Sequence, residues 1–246
     1  FGVDPRVLLG GIETSQVGTQ SGSSEPYQES AHEAEQRERI AVVLADTEDV
    51  WGAVMVELHG SYREPKLVLF SGAVDSGCGF AEAAVGPFYC PADERVFIDL
   101  SFFDEMEQHL GAGGDFAQAY VLAHEVGHHV QKLLGTSGRV EELRQRVDEI
   151  EANQMSVRLE LQADCYAGLW ARHAEETSAI LEPGDIDEAL GAASAVGDDR
   201  LQRRAGGQVV PDSFTHGTSE QRARWFRNGF DNGTLEACDT FREAGL

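Results

Sequence analysis

The stretch AYVLAHEVGHHVQKLL, residues 119–134, decides how this chain folds. Its apolar residues recur at helical spacing, so it reads as a buried α-helix. It nevertheless carries His124, Glu125, His128 and His129 where a core helix favours leucine. His124 and His128 are four positions apart and project from one helix face in successive turns. That spacing lets both imidazoles reach one zinc ion at roughly 2.0–2.1 Å. Glu125 follows about 100° further round the helix, beside the metal's open position rather than in it. A carboxylate there can take a proton from zinc-bound water, whose pKa falls to about 7. This is the His-Glu-x-x-His arrangement of zinc proteases. A structural helix that buried two histidines without partners would leave costly unsatisfied nitrogens. Gly127, between them, adds no side chain to crowd a site.

Catalytic zinc usually takes a third protein ligand. The metzincin pattern is excluded, because Gln131 and Leu134 stand where it requires glycine and histidine. The segment LELQADCYAG, residues 159–168, offers Glu160 as a ligand from a later helix. Asp164, one turn on, could accept the outer N–H of a ligating histidine and fix its tautomer. A solvated helical carboxylate is the alternative for Glu160, and its small, apolar neighbours argue against it. His129 reads as a bystander, since adjacent helical residues point in different directions. His32, His59, His109 and His173 have no motif around them. His216, in PDSFTHGTSEQRARWF (residues 211–226), follows a loop and precedes a helix capped by Thr218 or Ser219. A loop histidine near the metal could donate to the oxyanion of a tetrahedral intermediate. A turn-structuring role stands beside that reading on spacing alone.

The 246 residues suffice for one sizeable domain or two small ones. A formal charge of −24 repels phosphate backbones and anionic head groups, which argues against nucleic acid and bare membrane as partners. No apolar run is long enough to span a bilayer, although an anchor or signal peptide could precede Phe1. Residues 1–30, with the Ser- and Gly-rich IETSQVGTQSGSSEPYQES, read as a flexible tether, and 31–246 as the folded domain. Helical spacing is expected from about Ala34 to Leu58, with strands in PKLVLFSG and ERVFIDL. Ser101 is expected to cap FFDEMEQHL, and Asp115 to open the motif helix. After GTSG, residues 139–176 read as one long helix, followed by helices near Ile186 and Ser219. The expected class is α+β, predominantly helical, with a small antiparallel sheet and an active-site helix. Cys78 and Cys90 flank CGFAEAAVGPFYC, which reads as a loop stapled at its ends. Cys165 and Cys238 could form a second bridge, with four separate buried thiols as the alternative. Two disulfides would indicate an oxidising compartment outside the cytoplasm.

AHEVGHHVQ, ELQADCYAGLWA, VGPFYCPADERVFIDLSFF and SFTHGTSEQRARWF, in this order, resemble the bacterial putative neutral zinc metallopeptidase family over residues 30–243. FGVDPRVLLGG also resembles the stretch that follows that family's single membrane helix. The resemblance implies a membrane-tethered protein whose domain lies outside the cytoplasm or is secreted. These motifs are similar in turn to gluzincins with a Glu-x-x-x-Asp helix, the membrane heat-shock and CaaX-prenyl proteases. By that similarity the domain is zincin-like, with His124, His128 and Glu160 as ligands, Glu125 as base and Asp164 behind them. His216-Gly217 followed by Arg222 looks like that group's His-Pro loop, with glycine in place of proline. The resemblance also suggests RVFIDL as an edge strand for an extended peptide.

The expected activity is zinc-dependent endoproteolysis of a peptide or protein substrate, with one Zn2+ per chain. A non-enzymatic extracytoplasmic adaptor with structural zinc would need four protein ligands and gain nothing from Glu125. A metallohydrolase of non-peptide amides is the third reading.

Overall fold

The motif segment is a helix in the computed structural model, which describes residues 30–82 and 86–242. This helix, α3 (Asp115–Leu133), starts after Gly114 and ends before Gly135, whose φ of 75° is left-handed. Tyr120, Leu122, Ala123, Val126 and Val130 are all buried, so α3 forms the centre of the core. It packs against α1 (Ala31–Glu57), α5 (Glu149–Ser178) and α6 (Asp185–Ala195). α1 begins with a capping box in which Ser30 and Glu33 satisfy each other's backbone N–H groups.

The sheet strands are β1 (Lys66–Phe70), β4 (Phe88–Cys90) and β5 (Arg95–Asp99), in the order β1-β5-β4. β1 runs parallel to β5, and β4 antiparallel, with Tyr89 opposite Val96. A separate antiparallel hairpin joins β2 (Ala73–Ser76) to β3 (Gly79–Glu82). The class is α+β and mostly helical, and the small sheet is mixed. RVFIDL is therefore the central strand, not the edge. Phe97 stacks on Phe88 with centroids 4.8 Å apart, and Asp99 accepts from Gly72 N at 2.8 Å. Val96 and Ile98 on the other face of β5 are buried as well, and the sheet edges fall to β1 and β4.

Ser101 is the first residue of α2 (Ser101–Leu110) rather than its cap. Asp99 does the capping, accepting from Ser101 N at 2.9 Å and from its hydroxyl at 2.7 Å. The single long helix expected over 139–176 is two: α4 (Thr136–Arg144) and α5. Asp148 restarts the chain as an N-cap by accepting from Glu151 N at 2.9 Å. CGFAEAAVGPFYC contributes β3 and β4 and is not all loop. Its ends are joined by the Cys78–Cys90 disulfide, and Cys165–Cys238 is the second bridge.

α7 (Asp198–Arg204) and α8 (Ser219–Asn232) complete the helical layer. α8 starts at Thr218, whose hydroxyl accepts from Gln221 N. It crosses α5 at Gly168 and Gly229, where any Cβ would overlap backbone carbonyl oxygens of the opposite helix. Those two glycines let the backbones of α5 and α8 touch. No helix among the described residues is long and apolar enough to cross a membrane. The expected tether, apart from Ser30, lies outside the described residues.

Candidate active site

α3 and α5 cross where Gly127 faces Ala163: a Cβ at Gly127 would sit 3.0 Å from the Ala163 carbonyl oxygen. This close approach brings Glu160 and Asp164, on either side of Ala163, against the histidine pair. Glu160 Oε2 lies 3.2 Å from His124 Nε2, and Oε1 lies 3.4 Å from His128 Nε2. One ligand atom from each of the three residues falls within 4.8 Å of the others. Tetrahedral zinc with bonds of roughly 2.0–2.1 Å sets neighbouring ligand atoms about 3.3 Å apart. Donor chemistry and spacing both fit, so these three residues could hold zinc.

Each histidine is oriented through its other nitrogen. His124 Nδ1 donates to Asp164 Oδ1 at 2.8 Å, which leaves Nε2 facing Glu160. Asp164 is fully buried, and it also accepts from Tyr120 OH at 2.6 Å and from Arg222 Nε at 2.8 Å and Nη2 at 2.9 Å. Arg222 Nη2 additionally donates to Tyr120 OH at 3.2 Å. His128 Nδ1 donates to Gln131 Oε1 at 2.9 Å. Gln131 Nε2 is held in turn by the Leu159 carbonyl at 2.7 Å and by Gln162 Oε1 at 3.2 Å. Gln162 ends that chain on the carbonyl of the disulfide-bonded Cys238 at 3.0 Å.

The electrostatics of the metal-free site follow from this wiring. Burial alone would depress the His124 imidazolium, but Asp164 and Glu160 outweigh it and raise the ring to about 10. Burial likewise opposes charge on His128, and Glu160 raises it. Burial would lift the Glu160 carboxyl, yet the two histidines hold it well below the usual carboxylate range. Asp164 is drawn down to about 2 against its own burial, chiefly by Arg222 and His124.

Glu125, on the next position of α3, lines with the ligand triad a cleft of about 660 Å³. Phe88 and Tyr89 of β4 form one wall, and His216 lines the same space. The structure thus brings His124, Glu125, His128, Glu160, Asp164 and His216 into one region. His129 is not in that group. Its ring is completely buried and bonds Tyr89 OH at 2.9 Å and the Arg63 carbonyl. It fixes β4 and the segment before β1 to the motif helix, a structural task that its bystander reading missed. His32 and His173 bond elsewhere, to Asp104 and to the Gly233 carbonyl.

Gln131, Tyr120 and Asp198 were not identified from sequence. Gln131 sits three residues after His128, a spacing that puts it within reach on a helix. Tyr120 precedes His124 by one turn, and the same rule points to it.

A buried helix with two histidines, an adjoining glutamate and a carboxylate from a crossing helix define a zincin-like protein of the zinc-peptidase class. The chain belongs to the family described as "Putative neutral zinc metallopeptidase", whose sequence profile matches residues 1–241. It is 52% identical over 241 residues to "Uncharacterized protein YpfJ" of Escherichia coli, covering 98% of this chain and 82% of that protein. It is also 47% identical over 204 residues to "Uncharacterized protein Rv2575" of Mycobacterium tuberculosis, covering 79% of this chain and 68% of that protein. No solved structure matches it significantly.

Proposed function

We propose that this chain is a zinc-dependent endopeptidase with His124, His128 and Glu160 as metal ligands and Glu125 as general base. The observation that carries this reading is the convergence of three ligand atoms beside Glu125 on an open cleft. Zinc bound there would supply Lewis acidity towards water and the scissile carbonyl. Glu125 takes the proton from the attacking water and returns it to the leaving amine. Asp164 and Gln131 keep the outer nitrogens of the histidines protonated, so that Nε2 of each ring faces inward. His216 lines the same cleft, which supports its role as a donor to the carbonyl oxygen.

The cleft wall supports a peptide as substrate. β4 pairs with β5 along one side, and its other edge is unpaired among the described strands. An extended chain can add to such an edge through backbone hydrogen bonds. The two disulfides favour an extracytoplasmic setting, in keeping with a protein tethered to the outer face of a bacterial membrane. A purely structural zinc is disfavoured, since that use takes four protein ligands and a closed site.

The deciding experiment is digestion of casein and a peptide library by the purified protein, with chelator and with zinc restored. Cleavage that chelator abolishes and zinc restores is the expected result. Zinc-loaded protein that cleaves no peptide overturns the proposal.

A further inference from the structure

Asp198 opens α7, yet its carboxylate is buried, with only 3% of the residue exposed. Its Oδ2 accepts three successive backbone N–H groups, from Thr215 at 2.8 Å, His216 at 2.7 Å and Gly217 at 3.0 Å. Its Oδ1 lies 3.2 Å from His216 Nδ1, and the Thr215 hydroxyl lies 3.1 Å from the same nitrogen. In return the Asp198 backbone N–H donates to the Gly217 carbonyl at 2.9 Å. Asp199 adds a second attachment, accepting from Ser219 N at 2.8 Å and its hydroxyl at 2.9 Å. The two segments lie so close that a Cβ at Gly197 would overlap the Ser219 backbone nitrogen. Gly217, at φ +94°, lets the loop double back over this carboxylate.

None of this is required to start α8, which Thr218 and Gln221 already cap reciprocally. The contact between Asp198 and the ring therefore needs another explanation. The Thr215 hydroxyl can donate or accept at Nδ1 whereas a carboxylate only accepts, so the arrangement that satisfies both neighbours puts hydrogen on that ring nitrogen. Asp198 thereby assigns the His216 proton to Nδ1. Nε2 is left as the nitrogen available to the cleft that His216 lines with Glu125 and Glu160.

We infer that Asp198 is the positioning residue for His216, setting both its loop and its ring tautomer so that Nε2 meets the reacting group. Donation from Nε2 to the substrate oxygen then uses the doubly protonated ring, and Asp198 is the buried anion that balances its charge. The catalytic part of this inference rests on the peptidase reading. The location of the proton on Nδ1 does not.

The test is a long-range 1H–15N spectrum of histidine side chains in the zinc-loaded protein, with the ring neutral and His216→Gln used for assignment. The expected wild-type spectrum has His216 protonated at Nδ1. Asp198→Asn can keep the backbone donors on its oxygen while offering its amide N–H to the ring, so the proton moves to Nε2. In peptide cleavage, Asp198→Asn leaves a neutral Nε2–H donor in place of the charged one, and kcat is expected to fall about tenfold, because a charge-assisted hydrogen bond is roughly twice as strong as a neutral one. KM and zinc content stay within about twofold, because the ligands are untouched. On a His216→Ala background the same substitution should cost less than about threefold more, since coupled residues are not additive. A wild-type ring protonated at Nε2 alone overturns the inference, whether or not Asp198→Asn folds. So does wild-type turnover by Asp198→Asn, or losses that multiply in the double variant. If the wild type cleaves nothing, the peptidase reading fails, while the spectrum still decides what Asp198 does to the ring.

Discussion

Asp164 and Arg222, 58 positions apart, form a buried two-pronged ion pair directly behind His124. The guanidinium presents Nε and Nη2 to the two carboxylate oxygens, and His124 shares one of them. The pair ties α8 to α5 and fixes the orientation of a proposed metal ligand. Removing one partner of a buried pair leaves an uncompensated charge, which costs about 3–5 kcal/mol. Arg222→Met should therefore destabilise the metal-free fold by about that amount in denaturant melts. Asp164→Asn keeps hydrogen-bonding capacity but loses the anion behind His124, and should weaken zinc binding about 10–100-fold. Competition with a chromophoric chelator measures this. Unchanged zinc affinity in Asp164→Asn would remove the orienting role.

Zinc binding should release protons. In the metal-free protein the His124 ring is raised to about 10 and is protonated at neutral pH, and the His128 ring is shifted in the same direction by Glu160. Ligation needs their bare Nε2 atoms, and zinc must displace any proton there. Apparent affinity should then rise with pH between about 6 and 8, close to tenfold per unit for each proton released. Calorimetry in buffers of differing ionisation enthalpy counts the protons. Fold stability of the metal-free protein follows the same shifts. A histidine raised from 6.5 contributes stability that is present below that value and is lost as pH climbs through about 10. Asp164, lowered from 3.8, contributes stability that is present above that value and is lost as pH falls through about 2. A zinc affinity that is flat with pH would contradict the protonated His124 ring.

The two disulfides should contribute unequally. Cys165–Cys238 closes a separation of 73 residues and Cys78–Cys90 one of 12. Loop-closure entropy assigns about 4 kcal/mol to the longer and about 3 kcal/mol to the shorter. The longer bridge also holds the Cys238 carbonyl that anchors Gln162 and, through Gln131, the His128 ring. Replacing Cys165 and Cys238 by serine should lower both melting temperature and zinc affinity, whereas replacing Cys78 and Cys90 should leave zinc affinity nearly unchanged. Equal zinc affinity in the two double variants would break the proposed link from disulfide to ligand.

The motif helix was legible because two signals coincide there: apolar spacing that demands burial, and histidines that tolerate burial only with partners. Glu160 was legible through the change from charged to small neighbours around it. β5 was expected at an edge from the family resemblance alone: alternation in RVFIDL marks a strand but not its number of neighbours, and β1 and β4 flank it on both sides. The break before α5 was hidden by charged and apolar residues that continue the helical rhythm across 145–148. Only the cap made by Asp148 interrupts it. Asp198 left no trace in VGDDR. Which of two adjacent aspartates is buried depends on a loop almost twenty positions away.

Glu125 and Glu160 lie in one cleft yet should fail differently when changed. Glu160 spans the two histidine Nε2 atoms at 3.2 and 3.4 Å, so its carboxylate is placed to hold the metal. Glu125 shares the cleft without belonging to that cluster. Glu125→Gln should therefore retain zinc at wild-type stoichiometry and lose peptide cleavage by about 10²–10⁴-fold, the usual contribution of general base catalysis. Glu160→Ala, like alanine at His124 or His128, should lose zinc itself, and activity with it. Metal analysis by mass spectrometry beside a peptide assay separates the two outcomes. Zinc-replete Glu125→Gln that cleaves at the wild-type rate would remove the base, and full zinc in all three alanine variants would remove the ligands.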